Sequence, residues 1–442
     1  MKKIICIILL LVLLLCGCAP QVADPTAEPT AAPTQAELPP ETEAPTQEPT
    51  MSEEEAQAIL QERRDIVEAE MRYMMSVLWR PTEDFDYSYV SASAGPEQDA
   101  LVSPGSVRHM KADRIYCGMP YTHGSGSGDS FISTGALDEN GVYLLDLNTY
   151  YLTGTNSTGT YRSARLGNDC ADAVSWAWAR VANSMKFDVT AGMTKVGGCL
   201  KVGDYVCEDT ATYKNTIQTC KDNGEDTMFA AYMELQKGDA LVCWNDKNGH
   251  AIMFVDIHVE YGADGKINAE NSYCLVHEQG GGGDQDGKTY FDETLGQTVY
   301  RIASTDNKYT FRKLFDNGYL PITIKELVDP SPLEEPWVKD SKEERTIDKL
   351  DFGEITSNYR ISHVVLDVTD AEGKLLQTST CFVREVDKYS FQMKSFRVDS
   401  VSEVLNGQLD LNALPAGTYT CTITCHLSTG DVLVANQFDF TK

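Results

Sequence analysis

A polar turn at residues 166–169 leads through Cys170 into an apolar stretch, residues 173–181, whose composition favours a helix. Asn168 and Asp169 carry side-chain oxygens that can accept hydrogen bonds from the free amides of a first helical turn, so the helix is predicted to begin here. The positive end of a helix dipole favours a thiolate. Cys170 is therefore a candidate nucleophile, although an arbitrary cysteine is more often a buried structural thiol.

Residues 1–17 have the organisation of a bacterial export signal. Lys2 and Lys3 precede an apolar core at residues 4–15, which is too short to span a bilayer as a mature helix. The sequence Leu-Cys-Gly-Cys at residues 15–18 resembles the lipobox of bacterial lipoproteins, whose last cysteine is acylated. This resemblance implies that Cys18 carries a lipid anchor on the extracellular face of the bacterial cell membrane. An ordinary secretory signal is the alternative.

The segment that follows, residues 18–50, is predicted to be a disordered tether, because Pro, Thr, Ala and Glu leave it almost no apolar surface to bury. The formal net charge of the chain is −29, with a pI near 4.5. Nucleic acid and anionic lipid need Lys and Arg to neutralise phosphate, so nucleic acid is excluded as a partner. The membrane is expected to be contacted through the lipid anchor only, and the oligomeric state is left open.

The rest of the chain is predicted to form two domains of an α+β protein. Residues 52–78 show apolar side chains at helical spacing, and Ser52 with Glu55 makes a capping box. Proline and charge at residues 328–332 indicate a boundary, which divides a domain at residues 51–329 from one at residues 330–442. In the second domain, residues 362–369 and 417–426 alternate polar with apolar, as in a small Ig-like β-sandwich.

The 13 cysteines of the chain do not suggest a disulfide scaffold. Cys6, Cys16 and Cys18 belong to the N-terminal segment, and the remaining spacings match neither a dense disulfide framework nor a pair of zinc knuckles. Most are predicted to be buried thiols. Pairing of Cys199 with Cys207 or Cys220 is left open.

A base for Cys170 is expected from an antiparallel meander. Apolar runs at residues 238–244 and 250–257 flank an Asn-Gly turn, which predicts a hairpin, and a third strand is predicted at residues 272–277. His250 is favoured because it begins a strand directly after the turn. His277 or its neighbour Glu278 could orient His250, but neighbouring strand residues point to opposite faces, so only one of the two should face it. The candidate bases outside the C-terminal domain are His109, His123, His250, His258 and His277.

Four short motifs, taken in order, resemble the NlpC group of cell-wall cysteine peptidases, which share a permuted papain-like fold with the CHAP amidases. Asn-Asp-Cys-Ala-Asp-Ala-Val at residues 168–174 is similar to the family's Asp-Cys-Ser-Gly-Phe-Val turn. Residues 238–241 and 249–252 look like its Gly-Asp and Gly-His-Val strands, and His277 falls where its third polar residue occurs. Residues 118–124 are similar to its Gly-x-Pro-Tyr-x-x-Gly-Gly segment.

The resemblance implies a papain-like domain, with a helix packed on an antiparallel sheet, that cleaves an amide bond in peptidoglycan stem peptides. Cys170 would attack, His250 would act as base and His277, or alternatively Glu278, would orient the base. Tyr121 and Asp169 would contact the substrate, and neither a metal nor an organic cofactor is implied.

The sequence departs from the family pattern in two respects. Asp172 replaces a glycine, which adds negative charge beside the thiol, and the gaps from Tyr121 to Cys170 and from His250 to His277 are longer than usual. Two alternatives stay open. One is a non-catalytic lipoprotein of the same fold that binds wall polymer or a protein. The other is an acyltransferase of the transglutaminase type, which also uses Cys, His and a carboxylate in that chain order.

Overall fold

The protein is described by a computed structural model. The model does not describe the predicted export signal, Cys18, the predicted tether or His123. Residues 51–442 form one compact unit. No helix within the described ranges is long and apolar enough to cross a membrane. The described residues are 51–88, 107–121, 126–147, 151–156, 159–164, 167–183, 199–207, 215–244, 249–280, 289–341, 355–382, 395–396 and 409–442.

The described elements confirm a mixed α+β protein in which sheets predominate. The α-helices are α1 (Glu53–Ser76), α2 (Gly128–Ile132), α3 (Cys170–Trp178), α4 (Thr216–Asn223), α5 (Glu225–Met233) and α6 (Phe311–Asp316). The strands of the first part are β1 (Leu78–Pro81), β2 (Phe85–Ser88), β3 (Val107–Met110), β4 (Ile115–Cys117), β5 (Ala136–Leu137), β6 (Tyr143–Leu145), β7 (Tyr151–Asn156), β8 (Gly159–Ala164) and β9 (Cys199–Lys201). They continue with β10 (Ala240–Trp244), β11 (Gly249–His258), β12 (Tyr273–Glu278), β13 (Thr289–Asp292), β14 (Gln297–Arg301), β15 (Ser304–Thr310) and β16 (Leu320–Ile324). The C-terminal strands are β17 (Val338–Asp340), β18 (Ile355–Ser357), β19 (Ile361–Asp370), β20 (Leu375–Phe382), β21 (Ser395–Phe396), β22 (Thr418–Leu427) and β23 (Val432–Thr441).

Helix α1 begins with the predicted capping box. The Ser52 hydroxyl accepts a hydrogen bond from the Glu55 amide, and the Glu55 carboxylate accepts one from the Ser52 amide at 2.9 Å. The helix ends at Ser76, and the chain then enters β1. Its buried face includes Arg64, which forms a 2.9 Å ion pair with Asp239. Because Asp239 directly precedes β10, this pair joins the N-terminal helix to the predicted Gly-Asp strand.

One six-stranded sheet is antiparallel throughout and has the order β15-β12-β11-β10-β16-β9. The predicted meander supplies β10, β11 and β12. One face, including Val242 and Met253, packs against helices α1 and α3. The opposite face, including Leu241 and Phe254, packs against α5 and α6. Side chains of alternate residues therefore enter two separate apolar clusters, so the face a residue occupies decides its neighbours.

A second six-stranded sheet has the order β13-β14-β4-β1-β6-β5 and contains parallel pairs at β1–β6 and β14–β4. Strands β2–β3 and β7–β8 form two-stranded sheets. The residues between 86 and 165 contribute six of the described strands, β3 to β8. Their pairing with strands as distant as β14 is a long-range feature that local composition does not encode.

The C-terminal part contains the antiparallel sheet that sequence alternation predicts. Its strand order is β20-β19-β22-β23, and a three-stranded sheet, β17-β18-β21, accompanies it. Val338 and Ile355 of the smaller sheet pack in one apolar cluster with Val364 and Ile423 of the larger. The domain boundary near residue 330 stays a prediction.

Candidate active site

Cys170 is the first residue of α3, as the capping signal predicts. Asp169 precedes the helix in an extended conformation, and its side chain accepts a 2.9 Å hydrogen bond from the amide of Asp172. The turn depends on Gly167, whose φ is +80° and where a Cβ atom would clash with the carbonyl oxygen of Pro120. Cys170 is 4% exposed. The candidate nucleophile therefore lies at the N-terminus of a buried helix and follows a turn that admits no side chain at residue 167.

His250 lies between Cys170 and Glu278. Nε2 of the imidazole is 2.9 Å from Oε1 of Glu278, and Cys170 lies near enough to the ring to raise its pKa. Burial alone would lower the pKa of His250, but the hydrogen bonds and charges of Cys170 and Glu278 outweigh it and raise the pKa to about 10. The imidazole is therefore held in its protonated form beside the thiol at neutral pH.

Two side chains of β15 hold Glu278. Tyr309 donates a hydrogen bond to Oε1 at 2.8 Å, and Asn307 donates one to Oε2 at 2.6 Å. Burial would raise the pKa of Glu278, but His250 and these two donors lower it to about 2. The carboxylate is thus ionised, and each of its oxygens has a partner.

The structure corrects the choice of His277 as the residue that orients the base. Its Nε2 atom is 2.8 Å from Oε1 of Glu68 on α1, and its Nδ1 atom accepts a hydrogen bond from the Asp306 amide at 3.3 Å. Neighbouring residues of a strand point to opposite faces, so His277 faces α1 while Glu278 faces His250. Glu278, the alternative third residue, is the neighbour that contacts His250.

Tyr121 lies beside the nucleophile turn. It forms an isolated parallel β-bridge with Asn168 and is half-buried. Burial raises the pKa of its phenol well above the ordinary value, and the adjacent Cys170 and Asp169 raise it further. The phenol is therefore neutral and able to donate a hydrogen bond next to the thiol. Both predicted substrate-contact residues, Tyr121 and Asp169, flank Cys170.

Cys243 and Tyr319 are further neighbours of His250. Cys243 is the cross-strand partner of His250 in the β10–β11 pair, and the Tyr319 ring lies edge-on to the imidazole with 6.5 Å between centroids. Burial raises the pKa of the Cys243 thiol to about 11, so it stays protonated at neutral pH. Cys243 is therefore a poor nucleophile at neutral pH.

The other candidate bases lie away from this constellation. His109 is exposed on β3, where it pairs with Asp86, and His258 at the end of β11 stacks on Tyr273 with 5.0 Å between ring centroids. Cys199 and Cys220 are free thiols, so neither pairing that the sequence leaves open, Cys199 with Cys207 or Cys199 with Cys220, forms. Within the described ranges no group of three or more His, Cys, Asp and Glu side chains could hold a metal ion.

Sequence reasoning missed Asn307 and Tyr309. Their spacing of two residues on a strand places both side chains on one face, which is the only sequence signal they carry. The pairing of β15 with β12 has a register shift between Val276 and Glu278, which sequence does not reveal. Asp306, in the same region, has a φ of +52°, unusual for a residue other than glycine.

The assembled groups suit covalent catalysis by a thiol. A nucleophile, a base within hydrogen-bond reach and a carboxylate that orients the base are the three parts such chemistry requires. The carboxylate also stabilises the imidazolium that remains after the thiol loses its proton.

Comparisons with known proteins add no support for a particular family. No family model matches the chain, and no curated protein matches it. Over 20% of its length the chain is similar to CopC from Methylosinus trichosporium OB3b, with 13% identity, 71% of that chain covered and a TM-score of 0.13. Over 46% of its length it is similar to a tetra-tandem repeat in the extending region of a large adhesion protein, with 14% identity, 40% of that chain covered and a TM-score of 0.17. Scores this low carry no argument about fold or function.

Proposed function

We propose that the protein is a cysteine hydrolase that cleaves an amide bond in peptidoglycan stem peptides. The observation that carries the proposal is the contact of His250 with both Cys170 and Glu278. The motif order around these residues, similar to that of the NlpC group, supplies the substrate class. A papain-like arrangement is supported by α3, which carries the thiol at its N-terminus and packs against the antiparallel sheet that carries the base.

The proposed reaction begins with the thiolate of Cys170 attacking the carbonyl carbon of the scissile amide. The resulting oxyanion is met by the backbone amide of Cys170 at the start of α3. The imidazolium of His250 gives its proton to the leaving amine, and an acyl-enzyme thioester remains. Water, deprotonated by the neutral imidazole, then hydrolyses the thioester and regenerates the thiol. Glu278 holds the imidazole in orientation throughout.

We also propose a lipid-anchored location on the outer face of the cell membrane and an Ig-like C-terminal domain. The lipobox-like residues 15–18 support the anchor, and the two C-terminal sheets that share one apolar cluster support the sandwich. Growth with labelled palmitate tests the anchor, because the label should appear on the wild type and be lost from Cys18→Ala. Absence of label on the wild type would indicate an ordinary secretory signal instead of a lipid anchor.

The function is tested by digesting purified peptidoglycan and identifying the new peptide ends by mass spectrometry. The wild type should release fragments, and Cys170→Ala should release none. Cys199→Ala is the matched control and should retain activity. Cys199 lies on β9, an edge strand of the sheet that carries His250. Fragment release by Cys170→Ala would overturn the assignment. Incorporation of an added amine without net hydrolysis would instead identify an acyltransferase, and wall binding without turnover would identify a binding protein.

A further inference from the structure

Glu278 is followed directly by a buried amide that crosses to the nucleophile turn. The Nε2 atom of Gln279 donates to the side-chain oxygen of Asn168 at 2.9 Å and to the carbonyl oxygen of Met119 at 2.8 Å. A third, longer contact of 3.4 Å reaches the carbonyl oxygen of Pro120. Gln279 and Asn168 are both 0% exposed, although 111 positions separate them in the chain.

Asn168 completes the connection on the other side. Its Nδ2 atom donates to the carbonyl oxygen of Gly126 at 3.3 Å, and its backbone amide donates to the carbonyl oxygen of Pro120 at 3.2 Å. It also forms the β-bridge with Tyr121 and stands two positions before Cys170. The two amides therefore join three segments: the end of the strand that carries Glu278, the turn that carries Cys170, and the segment that carries Tyr121.

We propose that Asn168 and Gln279 are positioning residues, which hold the Cys170 turn at a set distance from Glu278 and thus from His250. The inference rests on the proposed thiol chemistry. Such chemistry needs its groups placed to within a fraction of an ångström, and side chains locked by buried hydrogen bonds supply that placement. Glu278 is the last residue of β12 and Gln279 follows it directly, so Gln279 can bind the turn while Glu278 binds the base. The end of β12 thereby positions both groups beside the His250 imidazole, which are Glu278 and the Cys170 turn.

The inference is tested with Gln279→Met, which keeps the side-chain volume and removes the donor. The rate at which iodoacetamide modifies Cys170 is measured by mass spectrometry between pH 5 and 9. Because the thiol would lie farther from His250, the rate near pH 6 should fall about tenfold or more, and the pH midpoint of the modification should rise. A pH profile like that of the wild type would overturn the inference.

Two further variants separate positioning from general stability. Ile423→Ala removes buried surface from the C-terminal sheet and should lower the melting temperature without moving the pH profile. Asn168→Leu should shift the profile as Gln279→Met does, and the double variant should lose no more than the worse single variant, because the two residues act as one unit. Additive losses would contradict this coupling. If Gln279→Met does not fold, Asn168→Leu decides alone in the same assay.

This readout is independent of the proposed substrate, because alkylation needs no peptidoglycan. If the protein does not cleave peptidoglycan, the proposed function is refuted, but the alkylation profiles still test whether Asn168 and Gln279 position Cys170. Conversely, unchanged profiles with intact hydrolysis would overturn the positioning role alone.

Discussion

Replacing Glu278 with Gln is the sharpest test of the catalytic constellation. Gln has the same shape as Glu but no charge, so it removes the ion pair with His250 and places an amide where Asn307 now donates to a carboxylate. The imidazolium should become less stable. Since thiolate and imidazolium form together, the fraction of reactive Cys170 should fall with it.

The size of the effect follows from the two pKa values. The rise of the His250 pKa from 6.5 to about 10 corresponds to about 5 kcal/mol, and the fall of the Glu278 pKa from 4.5 to about 2 corresponds to about 3 kcal/mol. The smaller figure is the better bound for this pair, because the His250 value also includes its contact with Cys170. A loss of about 3 kcal/mol predicts a fall of roughly 100-fold in rate.

The assay compares Glu278→Gln with His277→Gln, its neighbour on β12. Alkylation of Cys170 at pH 6 and fragment release from peptidoglycan are both measured. Glu278→Gln should reduce both by about 100-fold, while His277→Gln, whose amide can still bond Glu68 and the Asp306 amide, should change them by less than about threefold. Equal losses in the two variants, or a larger loss in His277→Gln, would refute the assignment of Glu278.

Three further predictions concern stability. The lowered pKa of Glu278 stabilises the fold above about pH 4.5 and loses this effect as the pH falls toward 2, whereas the raised pKa of His250 stabilises below about pH 6.5 and loses it as the pH rises toward 10. Wild type and Glu278→Gln should therefore differ most in melting temperature between pH 4.5 and 6.5, and a difference that peaks near pH 9 would contradict the pairing. Gly167→Ala should lower the free energy of unfolding in urea by about 2–4 kcal/mol, because it adds a clash to an unfavourable φ. Gly141→Ala, at a glycine with a similar φ but open space around it, should lower it by about 1 kcal/mol. Equal losses in the two variants would rule out the clash. Burial raises the pKa of Glu70 from 4.5 to about 7, so its ionisation opposes folding increasingly from about pH 4.5 and fully above about pH 7. Glu70→Gln should therefore stabilise the protein at pH 8 by up to about 3 kcal/mol with no gain at pH 4, and a gain at pH 4 equal to that at pH 8 would contradict this.

Local signals were sufficient to place the nucleophile and the base on their elements. The cap at Asp169 depends on hydrogen bonds within one helical turn, and the structure begins the helix at Cys170. The hairpin of β10 and β11 depends on an alternating pattern on both sides of a short turn, and the structure places His250 at the start of the second strand. Interactions this close in the chain are encoded by neighbouring residues.

The sequence limited the residue that orients His250 to two candidates, but it could not decide between them. Alternation along β12 shows that His277 and Glu278 face opposite sides, yet it does not say which side holds His250. That choice depends on which face of the sheet receives α1, because Glu68 and the Asp306 amide occupy the face of His277. The resemblance to the NlpC group favoured His277, whereas the structure places Glu278 in contact with His250.

The amino-acid sequence by itself therefore determined a thiol at a helix start, an imidazole at a strand start and the two candidates for the residue that orients it. Only the tertiary structure decided that Glu278 is the partner, that Asn307 and Tyr309 hold it, and that an amide pair ties it to the nucleophile turn. The physical reason is that capping and alternation act over a few residues. Strand register and the packing of α1 depend on side chains hundreds of positions apart, whose contacts exist only once the chain has folded.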